Sequence, residues 1–308
     1  MSHFLTSLIC LILSVGTGYA ADAPIKYDDK TEVLLGRLGP PSKGVMRLFQ
    51  GVGMKNVRYH PVTDEEREKI GAALASLPDI HRKVLVDHLD RLSFVDGILG
   101  AGTGLTSASN TKGSYSVTFR ASLINESLTE FLTTKERTLF NNVKDGPIIT
   151  VTAKGLDALP FGLLHESTHM VDSTFGIGRD LNQPLIHDIW KDASDLKVPY
   201  ANSAVTGTDF RGKGKVSVRK AHSIYDAMQD SPFVSLYSTA SAGEDIAELV
   251  AWYIELKRFN ADLVIELSSS SGETIKRYRP LEFRRVKDRF EAVQKLMSML
   301  EEGAAVSR

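Results

Sequence analysis

The pattern of hydrophobic and polar residues predicts two helices in the first third of the chain. Thr63 followed by Glu66 forms a capping box, the pattern typical of a helix N-terminus, and this helix is expected to run to about Leu77. Pro78 and Asp79 then begin a second helix. Its apolar stripe has helical spacing and consists of Ile80, Val84, Leu85, Leu89 and Leu92.

Short runs rich in β-branched and aromatic residues predict the strands. In chain order they cover residues 94–95, 115–122, 148–152, 263–267 and 274–278, the last two forming a hairpin. A Gly/Ser/Thr-rich segment from Gly100 to Gly113 is expected to be a loop. A final helix is predicted from about Leu281 to Leu300. Strands and helices in this order indicate an α+β fold with a mixed sheet.

The segment His165-Glu166-Ser167-Thr168-His169 has the HExxH pattern of zinc active sites. Residues four apart lie on one face of a helix, so both imidazoles can reach the same metal ion. Glu166 is then placed to take a proton from a water molecule at the metal. Pro160 is a suitable first-turn residue for such a helix. The alternative is a core helix with two incidental histidines.

A catalytic zinc usually takes three protein ligands, so a third one is expected. In the metzincin pattern it would require glycine and histidine where this chain has Asp172 and Phe175, which excludes that solution. Residues 243–253 form a predicted amphipathic helix on which Glu244 and Glu248 share a face. A carboxylate at Glu244 can bind zinc, and one at Glu248 can hold a ligating histidine by its other ring nitrogen.

A simpler interpretation of this second helix is also open. Ser241 as N-cap with Glu244 at the third helical position would be an ordinary capping box, leaving Glu248 as a solvated surface charge. Apolar residues nevertheless lie near the same face, namely Ala247, Val250, Ala251 and Ile254. The two carboxylates therefore border an apolar surface, which favours the metal site.

These two motifs together resemble the gluzincin branch of zinc metallopeptidases. The Glu-x-x-Ala-Glu pattern of residues 244–248 is more similar to the anthrax lethal factor-like members than to thermolysin. The resemblance loosely covers residues 75–260, and only the two short motifs are specific. It implies a zincin-like domain with a cleft between subdomains. In zincins an edge strand of the mixed sheet lies above the metal and pairs with substrate, a place expected here for Ile148–Thr152.

The resemblance also implies a role for each site residue. His165, His169 and Glu244 would bind one zinc ion per chain, with Glu248 supporting a ligating histidine. Glu166 would be the general base. Tyr237, seven residues before Glu244, would help to stabilise the oxyanion.

Several other residues are alternatives for these roles. Tyr237 could instead be a packing residue of a strand or loop. His222 and Tyr225 are weaker candidates for stabilising the oxyanion. His187 and Asp188 could compete as metal ligands, although ordinary polar roles are favoured for both.

The N-terminal region predicts export. Residues 4–15 form an apolar run too short to span a bilayer, and small residues precede Ala21, so residues 1–20 are expected to be a signal peptide. No Lys or Arg precedes the run, which leaves an uncleaved anchor as the alternative. Cys10 is the one cysteine, so the mature chain would form no disulfide. A secreted or periplasmic protein is expected.

The sequence also predicts two segments after the signal peptide. Residues 21–62 are predicted to be an N-terminal arm or a pro-segment. Residues 63–308 are predicted to be the zincin-like catalytic domain, with 261–300 as a possible second subdomain. The net charge of −1 favours neither nucleic acid nor an anionic membrane as partner.

The function that the sequence predicts is hydrolysis of peptide bonds by a secreted zinc metallopeptidase. Its partner would be a peptide or protein substrate, attacked by a zinc-activated water with Glu166 as general base. Two alternatives stay open. One is a zinc amidase acting on a non-peptide or cell-wall amide. The other is a catalytically silent secreted binding protein with a zincin fold.

Overall fold

The computed structural model describes residues 26–98, 104–109 and 111–306, so the predicted signal peptide lies outside the described residues. The helices there are α1 (Asp29–Leu35), α2 (Lys43–Gly51), α3 (Asp64–Ala75), α4 (Asp79–His88), α5 (Leu128–Arg137), α6 (Ala158–Phe175), α7 (Ala221–Gln229), α8 (Ala242–Phe259) and α9 (Arg284–Val306). The strands are β1 (Lys55–Tyr59), β2 (Leu89–Ile98), β3 (Gly104–Ala108), β4 (Tyr115–Arg120), β5 (Phe140–Asn141), β6 (Ile148–Thr152), β7 (Val216–Ser217), β8 (Val264–Ser268) and β9 (Thr274–Tyr278). Among these helices, none is long and apolar enough to cross a membrane.

A mixed four-stranded sheet lies beside the long helix α6. Its strand order is β1-β2-β4-β3, with β2 and β4 parallel and both outer strands antiparallel to their neighbours. Phe94 and Phe119 pair across β2 and β4 and are fully buried. A Cβ at Gly162 of α6 would lie 3.3 Å from the Phe119 ring, so glycine lets this helix approach the sheet closely. The predicted α+β class with a mixed sheet is confirmed.

A separate antiparallel sheet has the order β6-β8-β9. The free edge of β6 is covered by side chains of α5. The Thr133 hydroxyl donates to the Val151 carbonyl and accepts from the Val151 amide, both at 2.9 Å, and Arg137 donates to the Ile149 carbonyl at 2.7 Å. Ile148–Thr152 is thus an edge strand as expected, but the expectation that it belongs to the mixed sheet is wrong, because its sheet is antiparallel. Its edge is already occupied by α5 and cannot accept a substrate strand.

The strand beside α6 is β3, which lies in the segment expected to be a loop. It pairs antiparallel with β4 from Gly104↔Phe119 to Ala108↔Tyr115. The Ser109 amide donates to the Ser114 carbonyl at 2.8 Å and closes the connecting turn. Glycine, serine and alanine have low β propensity, so pairing with β4 rather than composition forms this strand.

Some element boundaries also differ from the predictions. The second helix ends at His88, so Leu89 and Leu92 belong to β2 instead of extending the helical stripe. The Arg37 guanidinium donates to the carbonyls of Leu85 and Val86, at 2.9 and 2.6 Å. These bonds satisfy carbonyl groups that have no partner within the last turn of α4. The capping box of Thr63 and the C-terminal hairpin are confirmed.

Residues 26–62 pack into the body of the protein. Leu34 and Leu35 of α1 are buried in the main hydrophobic core, which also contains residues of α3, α4 and α6. Strand β1 pairs with β2, and α2 covers it with Val45 and Phe49 in a small second cluster. Removal of this segment would therefore uncover both the sheet and the core.

Helices α6 and α8 pack against each other at the centre of the molecule. Phe161 and Trp252 are buried between them with ring centroids 4.9 Å apart. At the start of α8, the fully buried Asp245 carboxylate accepts two hydrogen bonds of 2.9 Å from Arg289 of α9 and one of 2.9 Å from Trp190. These contacts fix the relative position of the two helices that carry the predicted ligands.

Candidate metal centre

The three predicted metal ligands converge on one point. His165 and His169 lie one turn apart on α6, and Glu244 lies in the first turn of α8. Glu244 Oε2 is 3.0 Å from His165 Nε2 and 3.4 Å from His169 Nε2. The two Nε2 atoms are 3.2 Å apart. Among the described residues, this is the group of histidine and acidic side chains arranged to hold a metal ion.

These separations match the requirements of a small divalent metal. A tetrahedral ion with ligand bonds of about 2.0–2.1 Å holds its donor atoms about 3.3 Å apart. The three observed separations lie within a few tenths of an ångström of that value. Two imidazole nitrogens and one carboxylate oxygen can therefore bind a metal ion here.

The electrostatics of the group favour a positive charge near the three donors. Burial opposes protonation of His169, but the hydrogen bond and negative charge of Glu244 outweigh it and raise the His169 pKa to about 9. Burial likewise disfavours the Glu244 carboxylate, yet its hydrogen bonds with His165 and His169 hold its pKa well below the ordinary value. Both shifts favour a cation, either a proton or a metal ion, among these atoms.

The capping and metal-ligand interpretations of the second helix are compatible with each other. Its hydroxyl accepts a hydrogen bond of 3.2 Å from the Glu244 amide, so it is the N-cap of α8. The Glu244 carboxylate is nevertheless directed towards the two imidazoles. The cap orders the first turn of the helix and leaves the carboxylate available as a ligand.

Glu248 is buried, with an exposed fraction of only 1%, so the alternative of a solvated surface charge is wrong. Its Oε2 accepts a hydrogen bond of 2.9 Å from Ser235, and its Oε1 lies 3.6 Å from Lys135 Nζ. Oε1 also lies 3.5 Å from His165 Nδ1. Neither Glu248 Oε1 nor His165 Nδ1 has a hydrogen-bond partner among the described residues, so the two atoms lie close together without a formed hydrogen bond.

Strand β3 holds the side chain of Glu166. The Thr106 hydroxyl donates to Glu166 Oε2 at 2.6 Å, and a Cβ at Gly104 would lie 2.8 Å from Glu166 Oε1. Glycine is therefore needed at position 104 for the carboxylate to keep this position. Sequence reasoning missed both residues because they lie in the segment predicted to be a loop.

Tyr237 lies at the metal centre, with its ring centroid 5.9 Å from that of His165. Burial and the nearby charges of Glu244 and Glu166 raise the pKa of its phenol well above the ordinary value, so the hydroxyl stays a hydrogen-bond donor. Lys135 Nζ lies over the face of this ring, 3.4 Å from the centroid, in a cation–π contact. No sequence motif indicated Lys135.

The other candidate residues lie outside the three-ligand group. His222 pairs with Asp226 at 2.9 Å, and its side chain is half exposed. The buried Tyr225 donates its hydroxyl to Glu136 at 2.8 Å. His187 and Asp188 form an exposed pair with each other at 2.8 Å.

A cavity of ≈ 400 Å³ adjoins the metal centre. Both His165 and Glu166 contribute to its wall. Much of the remaining lining is aromatic, with Phe119, Phe131, Phe161, Phe210 and Tyr237, and Arg120 and Lys135 add two cationic side chains. A large apolar group could therefore be held directly beside the predicted general base.

No family model, curated protein or solved structure matches this chain. The interpretation of the metal centre therefore depends on its geometry and chemistry alone.

Proposed function

We propose that the chain is an exported zinc metallopeptidase of the gluzincin type. The observation that carries this proposal is the convergence of His165, His169 and Glu244, whose donor atoms are 3.0–3.4 Å apart, beside the carboxylate of Glu166. Two imidazoles and one carboxylate are a ligand set that catalytic zinc uses in peptidases. The Glu166 carboxylate is held by Thr106 of β3, and its negative charge acts on His169, which supports a catalytic role beside the three donors.

Each residue has a distinct role in the proposed reaction. His165, His169 and Glu244 would hold a zinc ion, which would supply Lewis acidity towards a carbonyl and a water molecule. Glu166 accepts a proton from the attacking water and transfers it to the nitrogen of the leaving amine. The Tyr237 hydroxyl, which stays protonated, donates a hydrogen bond to the oxyanion. Glu248 keeps the ring of His165 in its orientation.

The substrate is proposed to be an extended peptide bound along β3. In the described residues, the edge of β3 that faces away from β4 makes no backbone hydrogen bond, whereas the edge of β6 is occupied by α5. An extended chain can add to such an edge through main-chain hydrogen bonds. The aromatic cavity beside His165 would then take one large apolar side chain of the substrate.

Metal content is the first test, because it does not require a known substrate. The mature chain, beginning at Ala21, is purified without an affinity tag and measured by elemental mass spectrometry. About one zinc per chain is expected for a three-ligand site. The variant His169→Gln should bind much less. An absence of bound zinc, even after incubation with excess metal, would contradict the proposal.

The variant Glu166→Gln tests catalysis separately from metal binding. It removes the base while keeping the shape of the side chain, so turnover should fall by about 10²–10⁴-fold with zinc content unchanged. Glu273→Gln, at an exposed position in the β8–β9 turn, is the control and should keep full activity. Cleavage of a mixed peptide library by wild type is the assay. Equal activity in Glu166→Gln would exclude this mechanism.

The same assay, with non-peptide amides added as a second substrate class, separates the two alternative functions. Hydrolysis of non-peptide amides without peptide cleavage would indicate a zinc amidase. A zinc-loaded wild type that cleaves neither class would indicate a binding protein.

A further inference from the structure

A second cavity, of ≈ 440 Å³, lies away from the metal centre and shares no lining residue with the aromatic cavity there. It is enclosed by α3, the start of α6 and the end of α8. Its walls are formed mainly by Ala72, Ser76, Ile124, Leu156, Leu159 and Phe259. Glu255 also lines it and is eleven residues from Glu244 on α8, which corresponds to about 16 Å along the helix axis. We call this cavity the Glu255 pocket.

Glu255 carries an unpaired carboxylate in this pocket. Its exposed fraction is 2%, and Oε2 is buried without a hydrogen-bond partner. No hydrogen bond from the described residues reaches this oxygen. A buried polar group without a partner costs free energy, and proteins seldom keep one unless a ligand or water satisfies it.

The surrounding charges do not supply that partner. The Lys69 ammonium at the pocket wall is bound by Glu65 at 2.8 Å and Asn125 at 2.6 Å. Arg258 donates to the Ser76 carbonyl. Burial raises the pKa of Glu255 to about 7, and the charge of Arg258 opposes that rise.

Other features of the pocket favour a cation with an apolar body. Asp157 adds a second carboxylate, which lies at the exposed part of the lining and has no side-chain cap bond to α6. Phe259 is half exposed at the same pocket, although it is a large aromatic residue. An aromatic face and two carboxylates are groups that bind organic cations. The volume lies within the usual range of about 300–1,000 Å³ for small-molecule sites.

We propose that the Glu255 pocket binds a small organic cation, a primary ammonium on an aromatic or alkyl body. The ammonium group donates to the Glu255 carboxylate, and the body packs against Phe259 and Leu156. This site is independent of the proposed peptidase activity and adds a ligand-binding function to the opposite end of α8.

Three probes of equal size and different charge test this proposal by saturation-transfer NMR and calorimetry. They are 4-phenylbutylamine, 4-phenylbutanol and 4-phenylbutyrate. The wild-type protein should bind the amine at least 10-fold more tightly than the alcohol and should bind the carboxylate least. Equal binding of amine and alcohol, or no binding at millimolar concentration, would overturn the proposal.

Three variants locate the binding. Glu255→Gln keeps the shape of the side chain and should reduce amine binding to the level of the alcohol. Ala72→Phe, at an exposed position of α3, should fill the pocket and abolish binding of all three probes. Glu244→Gln is the matched control on the same helix and should leave amine binding unchanged. Loss of amine binding in Glu244→Gln instead of Glu255→Gln would place the amine at the metal centre and refute the pocket.

Discussion

Replacing Glu248 by glutamine tests how the metal centre is held. The Glu248 carboxylate lies 3.5 Å from His165 Nδ1 and 3.6 Å from Lys135 Nζ. Two unit charges at 3.5 Å interact by about 5 kcal/mol at an effective dielectric constant of 20. An imidazole bound to a metal carries only part of a charge, and Lys135 offsets part of the carboxylate. Only a fraction of that energy is therefore expected to contribute to the free energy of metal binding.

The expected loss in zinc affinity is about 10–100-fold, the usual effect of removing a carboxylate that supports a ligating histidine. It corresponds to about 1.4–2.7 kcal/mol of binding free energy. The three ligands stay in place, so the variant should still bind about one zinc per chain at saturation. Glutamine also leaves the Lys135 ammonium without its anionic partner, so the stability of the metal-free protein should fall as well.

Competition with a chromophoric chelator at fixed pH measures the affinity, and urea denaturation of the metal-free protein measures stability. Glu255→Gln is the matched control, because Glu255 is also a buried carboxylate on α8 but lies two turns away from Glu248. Its zinc affinity should equal that of wild type. A Glu248→Gln affinity within twofold of wild type would refute the supporting role. An equal loss in both variants would show a general effect of altering α8.

Three further predictions concern the Arg289–Asp245 ion pair, the buried His81 and Gly104. Arg289→Met leaves the fully buried Asp245 with only its hydrogen bond from Trp190 and no cation, and should destabilise the fold by about 3–5 kcal/mol in chemical denaturation. Asp245→Asn in the same chain should restore part of the loss, and a double variant in which the two losses simply add would contradict this. Burial lowers the pKa of His81 to about 3. A histidine in the unfolded chain has a pKa of about 6.5. Between pH 6.5 and 3 the unfolded chain therefore binds more protons than the folded one. The free energy of unfolding should fall as the pH is lowered below 6.5, by up to about 1.4 kcal/mol per pH unit for this residue. His81→Gln should make the decline between pH 6.5 and 5 shallower, and an unchanged slope would exclude His81 as its source. Gly104→Ala places a Cβ 2.8 Å from Glu166 Oε1 and should reduce turnover by about 100-fold with zinc content unchanged; full activity would show that the carboxylate tolerates displacement.

The residues of the candidate metal centre could be predicted from the sequence because each pair is local. His165 and His169 are four residues apart, as are Glu244 and Glu248, and the period of the α-helix places each pair on one face. The HExxH pattern has no third ligand nearby in the sequence, and a catalytic zinc usually needs one, so the glutamate pair became the candidate. The chemistry of the missing ligand, rather than any local pattern, connected two segments that are far apart in the chain.

Strand β3 and Lys135 could not be predicted in this way. Residues 104–108 have the composition of a loop, and only pairing with β4 makes them a strand. The apolar residues of β6 produced a clear strand pattern, but a pattern does not reveal that α5 covers its edge. Lys135 resembles any lysine on an amphipathic helix, and its place over the Tyr237 ring depends on tertiary packing.

The position of Glu244 depends on the C-terminal helix as well as on its own. Asp245, the next residue, is held by Arg289 of α9 and by Trp190, and all three side chains are buried. A helix allows little independent movement of adjacent residues, so a shift of α9 that displaced Asp245 would also displace the Glu244 carboxylate. Because donor separations near 3.3 Å are needed for a tetrahedral metal, a displacement of about 1 Å would weaken binding. Helix α9 is therefore part of the framework of the metal centre, although it contributes no ligand.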